Sequence, residues 1–198
     1  GQYQRAIRAP NVNDLYGGVT RVVGVATDPC SSRASAAQRT DAVRAVCIAT
    51  GVPAGAVFTD AVQPNNIMPA DFGGNVNLGA EKSDTFTVGA VFTPSFAPKL
   101  YFSVDYFNIS LDGAISSLGG GLQNTLNLCY TVIQDANSEF CRAIVRNPNT
   151  GEINDPYVAQ IRNANTGKLK TSGIDFAMRY SFDVGFGFPG LGSTSSFD

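Results

Sequence analysis

Gly173-Ile174-Asp175-Phe176-Ala177-Met178-Arg179-Tyr180-Ser181-Phe182-Asp183 alternates without a break. Ile174, Phe176, Met178, Tyr180 and Phe182 fall on one side, and Gly173, Asp175, Ala177, Arg179, Ser181 and Asp183 on the other. Period two is the spacing of a strand whose two faces meet different surroundings. The run is long enough to cross a membrane as a strand, which takes ~9–11 residues.

Two earlier segments repeat the pattern. Phe86, Val88, Ala90 and Phe92 share a face within Thr85–Thr93, opposite Thr85, Thr87, Gly89, Val91 and Thr93. Leu100, Phe102, Val104 and Tyr106 share one within Leu100–Phe107, opposite Tyr101, Ser103, Asp105 and Phe107. Pro94-Ser95-Phe96-Ala97-Pro98 joins these segments as a short turn between prolines. Antiparallel folding about it sets Phe92 against Leu100, Ala90 against Phe102 and Val88 against Val104, so apolar meets apolar. After Phe107 the alternation slips, with Ile109 and Leu111 on the other parity, which a bulge near Asn108 or an end to membrane contact would produce.

The connections at the opposite ends are long. Residues 11–77 separate a first strand, over roughly 1–9, from the second, and 116–165 separate the third from the fourth. A second short turn over 184–192, containing Gly185-Phe186-Gly187-Phe188-Pro189-Gly190, leads to a fifth strand from Ser193 to Asp198. Short turns on one side and long loops on the other are the pattern of an outer-membrane barrel, short side to the periplasm and long side outward. Phe92, Phe96, Tyr101, Tyr180, Phe182, Phe186 and Phe188 gather near the short turns, as an interfacial aromatic girdle would.

Composition agrees. Charged residues make up 15% of the chain, against ~25% for a soluble domain. No stretch approaches the ~18 apolar residues of a spanning helix. Net charge is −2, with no basic footprint for nucleic acid. The absence of histidine removes the commonest general base and transition-metal ligand. No catalytic, cofactor or metal constellation is legible, and the expectation is of a non-enzyme. Gly1 carries no initiator Met and the first residues already read as strand, which suggests a fragment. Cys30, Cys47, Cys129 and Cys141 allow three connectivities; local pairing is simplest, and disulfides would belong to an oxidising compartment.

Within the loops, Ser35-Ala36-Ala37-Gln38 is a capping-box pattern that predicts a helix from Ala36 to Thr50, stopped by Gly51, with Val43, Val46 and Cys47 on one face. A second short helix is expected around Asn124–Ile133. Tyr16, Phe58, Phe72, Tyr130, Phe140 and Tyr157 are the loop aromatics available to stack on a ligand or to pack the loops on themselves.

The order of several motifs resembles the barrel of TonB-dependent receptors. Tyr3-Gln4-Arg5-Ala6-Ile7-Arg8-Ala9-Pro10-Asn11 is similar to the run that ends a strand at that family's outer surface. Leu78-Gly79-Ala80-Glu81-Lys82-Ser83-Asp84 resembles its acidic-Lys-Ser approach to the following strand. Leu100–Ile115, the paired cysteines Cys129 and Cys141 with Arg146 and Gly151, and Leu169-Lys170-Thr171-Ser172-Gly173-Ile174-Asp175 complete the series.

The resemblance implies that residues 1–198 form about five antiparallel strands of a barrel of about 22 strands closed by a plug. The long loops, with their short helices, would be extracellular. The plug, the segment that meets the inner-membrane TonB complex and the remaining strands would lie outside these residues. The family takes up a scarce small-molecule ligand, such as a siderophore complex, cobalamin or a carbohydrate. The alternatives are a structural or adhesive β-sheet protein at the cell surface and a passive porin. On this reading Phe86, Val88, Ala90, Phe92, Leu100, Phe102, Val104, Tyr106, Ile174, Phe176, Met178, Tyr180 and Phe182 face membrane lipid. Asp105, Asp175 and Arg179 face the lumen, where Asp105 and Arg179 would be diagonal neighbours on a ligand path or in an ordinary polar wall. Arg5 and Arg8, near the outer rim, would meet lipopolysaccharide phosphate or water.

Overall fold

The computed structural model describes residues 1–183 and 196–197. The expected turn over 184–192, with Phe186 and Phe188, lies outside the described residues. The expected fifth strand is described at Ser196–Phe197 (β8), which pairs antiparallel with Phe182–Asp183 (β7).

The first elements are β1 (Gln2–Arg8), α1 (Val12–Tyr16), β2 (Thr20–Val25), α2 (Asp41–Ala49) and β3 (Ile67–Gly73). Then come β4 (Glu81–Phe92), β5 (Leu100–Ser117), α3 (Leu122–Asn127), α4 (Glu139–Arg142) and β6 (Ala159–Tyr180). Six strands form one sheet in the order β1-β4-β5-β6-β3-β2. The strands are longer than the alternating segments. β5 runs unbroken through Asn108 for 18 residues, and β6 spans 22.

Two expectations need correction. The sheet is mixed: β2 and β3 are antiparallel (Thr20↔Phe72 to Val25↔Ile67), whereas β3 lies parallel to β6 (Ala70↔Ala159 to Gly73↔Arg162). A tight turn forces antiparallel pairing, but β3 and β6 are joined through the whole of β4 and β5, which leaves their direction free. The helix expected over Ala36–Thr50 is split. A 3-10 turn at Ala36–Gln38 precedes α2, whose N-cap is Thr40, its Oγ1 accepting from Val43 N at 3.2 Å. Gly51 follows the helix at φ 101°, a left-handed conformation that glycine adopts without steric cost. The second expected helix is present as α3, continued by a π-helical turn over Leu128–Ile133.

The chain divides into two compact units. Gly1–Ala6, Lys82–Leu111 and Leu169–Asp198 make the first. Its turn after β4 is closed by Ala97 N donating to Pro94 O and Leu100 N donating to Ala97 O. Phe102 and Phe176 stack with ring centroids 6.4 Å apart, and Ser181 N donates to Lys99 O. Arg5 grips Asp84 through Nε at 2.7 Å and Nη2 at 3.0 Å, and the Tyr3 hydroxyl donates to the same carboxylate at 2.6 Å.

Ile7–Glu81 and Asp112–Lys168 make the second unit. Apart from Pro94, the buried apolar residues among those described fall in it, with Tyr130, Met68, Leu126, Ile161 and Val43 the largest. Cys30–Cys47 ties α2 back to its own loop, and Cys129–Cys141 ties the π-helical turn to α4. Both local pairings are therefore the observed ones. Buried at the centre, Arg146 donates to Asp28 Oδ2 at 2.6 Å and Oδ1 at 2.9 Å, to Gly151 O at 2.8 Å and to the Tyr130 hydroxyl at 3.0 Å. A buried charge needs such a full set of partners, because desolvation would otherwise outweigh the attraction.

Candidate recognition cleft

The second unit carries a polar cleft at a crossing of two glycine pairs. Asn11 caps α1, accepting from Asp14 N at 2.8 Å while its own N donates to the Asp14 carboxylate at 3.0 Å. Five residues later the helix stops, with Gly17 N donating to Asn13 O at 2.9 Å. Gly17-Gly18 then crosses Gly73-Gly74, where Gly74 N donates to Gly17 O at 2.9 Å and Asn75 N to Asp14 O at 3.0 Å. A Cβ on Gly74 would stand 2.6 Å from Gly17 N and 2.7 Å from Leu15 O, so only glycine lets the two backbones pass this closely.

β6 fixes the other wall through asparagines. Asn163 Nδ2 donates to Asp14 O at 3.2 Å, and Asn163 O accepts from Asn75 Nδ2 at 2.9 Å. Asn165 clasps Gly79 through both its amide atoms and donates to Gly113 O. The resulting cleft has a volume of about 410 Å³ and is lined by Asn13, Gly17, Gly18, Thr20, Phe72, Gly73, Gly74, Ser117 and Asn163. Among the described residues no charged side chain lines it. The side chains of Asn13, Thr20 and Ser117 have no hydrogen-bond partner among the described residues.

Phe72 also borders a second cleft, of about 390 Å³ and apolar, between the Val22, Gly24, Met68 and Ala70 side of the antiparallel β2–β3 pair and Leu122. The opposite side of that pair is charged. Arg21 grips Asp71 at 2.8 and 3.1 Å, Asp155 also pairs with Arg21, and Gln160 Nε2 donates to Asp71 at 3.4 Å. The hydrogen bonds from Arg21, ahead of that from Gln160, hold the Asp71 carboxyl below the usual carboxylate range despite its burial. At the core, burial pushes the Tyr130 phenol up. Burial disfavours the Arg146 charge, but the Asp28 carboxylate outweighs it and keeps the guanidinium pKa above its ordinary value.

The residues singled out in the sequence are distributed over both units. The cysteines meet as two pairs. Phe86, Val88, Phe92, Ile174, Phe176, Met178 and Tyr180 are exposed, as is Ala90, while Leu100, Phe102, Val104 and Tyr106 are half-buried. Phe182 stands opposite Phe197 in the β7–β8 pair. Asp175 is exposed, and Arg179 borders a separate cleft with Thr93, Pro98 and Tyr101. Asp105 lies over Gly89, where a Cβ would come within 1.8 Å of its Oδ1. Arg5 and Arg8 are engaged by protein carboxylates, Arg5 by Asp84 and Arg8 by Glu81 at 2.5 Å and Asp14 at 3.4 Å. Glu81 also accepts from Ile115 N at 2.7 Å.

Of the loop aromatics, Tyr130 is fully buried, and Phe58, Phe72 and Phe140 pack against the core. Tyr16 is 69% exposed. Asn13, Thr20, Ser117 and Asn163 were not legible as a site. The only local signal was the pair of Gly-Gly dipeptides at 17–18 and 73–74, which marks two places where backbone passes close.

No curated protein sequence matches the chain. The family described as TonB dependent receptor-like, beta-barrel matches residues 1–197, and the chain belongs to this family.

Proposed function

We propose that this chain supplies part of the barrel wall and outer loops of an outer-membrane receptor that takes up a scarce ligand with energy from the inner-membrane TonB complex. Family members are outer-membrane transporters rather than enzymes. The observation that carries the reading is the family match across residues 1–197. The exposed apolar row of Phe86, Val88, Ala90 and Phe92 on β4, and of Ile174, Phe176, Met178 and Tyr180 on β6, supports it. In water such rows would be an aggregation hazard; against hydrocarbon they are the expected surface.

In this reading Leu100, Phe102, Val104, Tyr106 and Phe182 continue the lipid-facing surface, and Asp105, Asp175 and Arg179 belong to the lumen. The disulfide-tied unit projects to the exterior, where an oxidising environment maintains its cystines. The plug and the remaining strands complete the barrel, and lipopolysaccharide surrounds its outer rim.

The test is accumulation of labelled ferric siderophore, cobalamin and neutral oligosaccharide by cells with and without the gene, each with and without a protonophore. Accumulation of one ligand should fall to the passive level on deletion and equally with the protonophore. If no ligand depends on the gene, uptake is not its role. Gene-dependent uptake that survives the protonophore would indicate a passive pore instead.

A further inference from the structure

We propose that the glycine-walled cleft between α1, the start of β2 and β6 binds a neutral polyhydroxylated ligand, a glycan. The inference rests on the proposed receptor function, which places this unit outside the cell. Its volume of about 410 Å³ lies within the ~300–1,000 Å³ of small-molecule clefts. Three side chains with spare hydrogen-bonding capacity, Asn13, Thr20 and Ser117, converge on it. An amide and two hydroxyls can each donate and accept, and so match vicinal sugar hydroxyls, which also do both.

Solvent-accessible groups of this kind hydrogen-bond to water, and a hydroxyl-rich ligand can replace water without leaving a polar group unpaired. Phe72 supplies an apolar face within the same wall, suited to the C–H side of a sugar ring. The missing feature is equally informative. Among the described residues no cationic side chain lines the cleft, whereas phosphate, catecholate and carboxylate ligands are held by charge-assisted bonds. The four glycines bring bare backbone to the cleft wall, and at Gly74 the close approach of Gly17 and Leu15 leaves no room for a side chain.

Gly18 provides a direct test. A Cβ there meets nothing within 4 Å, and its φ is not in the left-handed region, so Gly18→Leu fills the cleft without disturbing the crossing. The intact receptor in detergent is applied to an array of neutral and acidic oligosaccharides, and the best-retained glycan is titrated by calorimetry. Retention should favour neutral glycans. Thr20→Val and Ser117→Ala should each weaken binding roughly three- to tenfold, and Gly18→Leu should weaken it by more than about tenfold.

Retention of no neutral glycan, or affinity unchanged by Gly18→Leu in a receptor with wild-type melting behaviour, overturns the proposal. The two readings fail separately. Energy-coupled uptake of another ligand without glycan binding removes only the cleft assignment. Glycan binding abolished by Gly18→Leu, in cells whose uptake ignores the protonophore, removes only the energy coupling.

Discussion

Arg146→Met isolates the buried pair at the heart of the loop unit. Among the described residues Asp28 Oδ2 accepts only from Arg146 Nη1, while Oδ1 accepts from both Arg146 Nη2 and Cys30 N, each at 2.9 Å. Methionine fills similar space but removes both guanidinium bonds, leaving a carboxylate with no exposed surface and a single backbone donor. Gly151 O and the Tyr130 hydroxyl lose a donor as well. Removing one member of a buried pair costs ~3–5 kcal/mol. At about 1.4 kcal/mol per tenfold, local opening should become more frequent by roughly two to three and a half powers of ten.

Amide hydrogen exchange of the intact receptor, resolved by peptide, reads that opening directly. The acceleration should fall on peptides of Ile7–Glu81 and Asp112–Lys168, with those of β4 from Lys82 onward unchanged. Asp28→Leu combined with Arg146→Met should recover most of the loss, because the uncompensated charge is gone. Lys168→Met serves as the control: its bond to Asp112 lies between side chains 75% and 50% exposed and should matter by less than ~1 kcal/mol. Acceleration below tenfold in Arg146→Met, or a double variant more labile than the single, would refute the assignment of this pair as the unit's anchor.

Three further outcomes follow from the same geometry. Asp71 has a folded pKa below its ordinary value, so it contributes stability above about pH 4 that is lost as pH falls through the folded value; exchange of β2 and β3 should accelerate below pH 4 in the wild type, and Asp71→Asn should abolish that acid dependence. Gly74→Ala drives a methyl into the backbone of Gly17 and Leu15 and should cost ~1–3 kcal/mol by thermal or chemical denaturation, whereas Gly18→Leu should be close to neutral. Cys47→Ser opens the bridge across 17 residues and should destabilise the α2 loop by ~3 kcal/mol, seen as rapid proteolysis between Cys30 and Cys47 in intact cells, with β5 and β6 resistant.

Much of the wall was legible because its signal is local. Phe86, Val88, Ala90 and Phe92 alternate within one strand, and the Pro94–Pro98 turn follows directly. The nearest cysteine pairs proved to be the bonded ones for the same reason. β3 carries Pro69 and small residues without alternation, and its partner β6 lies far along the chain, so neither its existence nor its parallel direction had a local signature. The first half of β6 escaped notice because the parity that carries Ile174, Phe176 and Met178 holds Gln160, Arg162, Thr166 and Lys168 there, while Asn163 and Asn165 on the other face hold loops in place. Asp28 and Arg146 stand 118 residues apart, and nothing in either neighbourhood marks the other as its partner. The cleft was hidden for the same reason, since its wall is drawn from α1, β2, β3, the end of β5 and β6.

The concentration of the described buried apolar side chains in one unit, Pro94 apart, sets how each part responds to temperature. Unfolding the disulfide-tied unit wets Tyr130, Met68, Leu126 and Ile161, and wetting apolar surface raises heat capacity by ~0.45 cal/mol/K per Å². Its stability is therefore a curved function of temperature, greatest at ~10–20 °C and falling again in the cold. Phe86, Phe92, Phe176 and Met178 are exposed on the strands, and on the proposed lipid-facing reading they rest in hydrocarbon whether or not their neighbours hold together. Their contribution adds little curvature, so chilling should loosen the disulfide-tied unit more than the strands of the first unit.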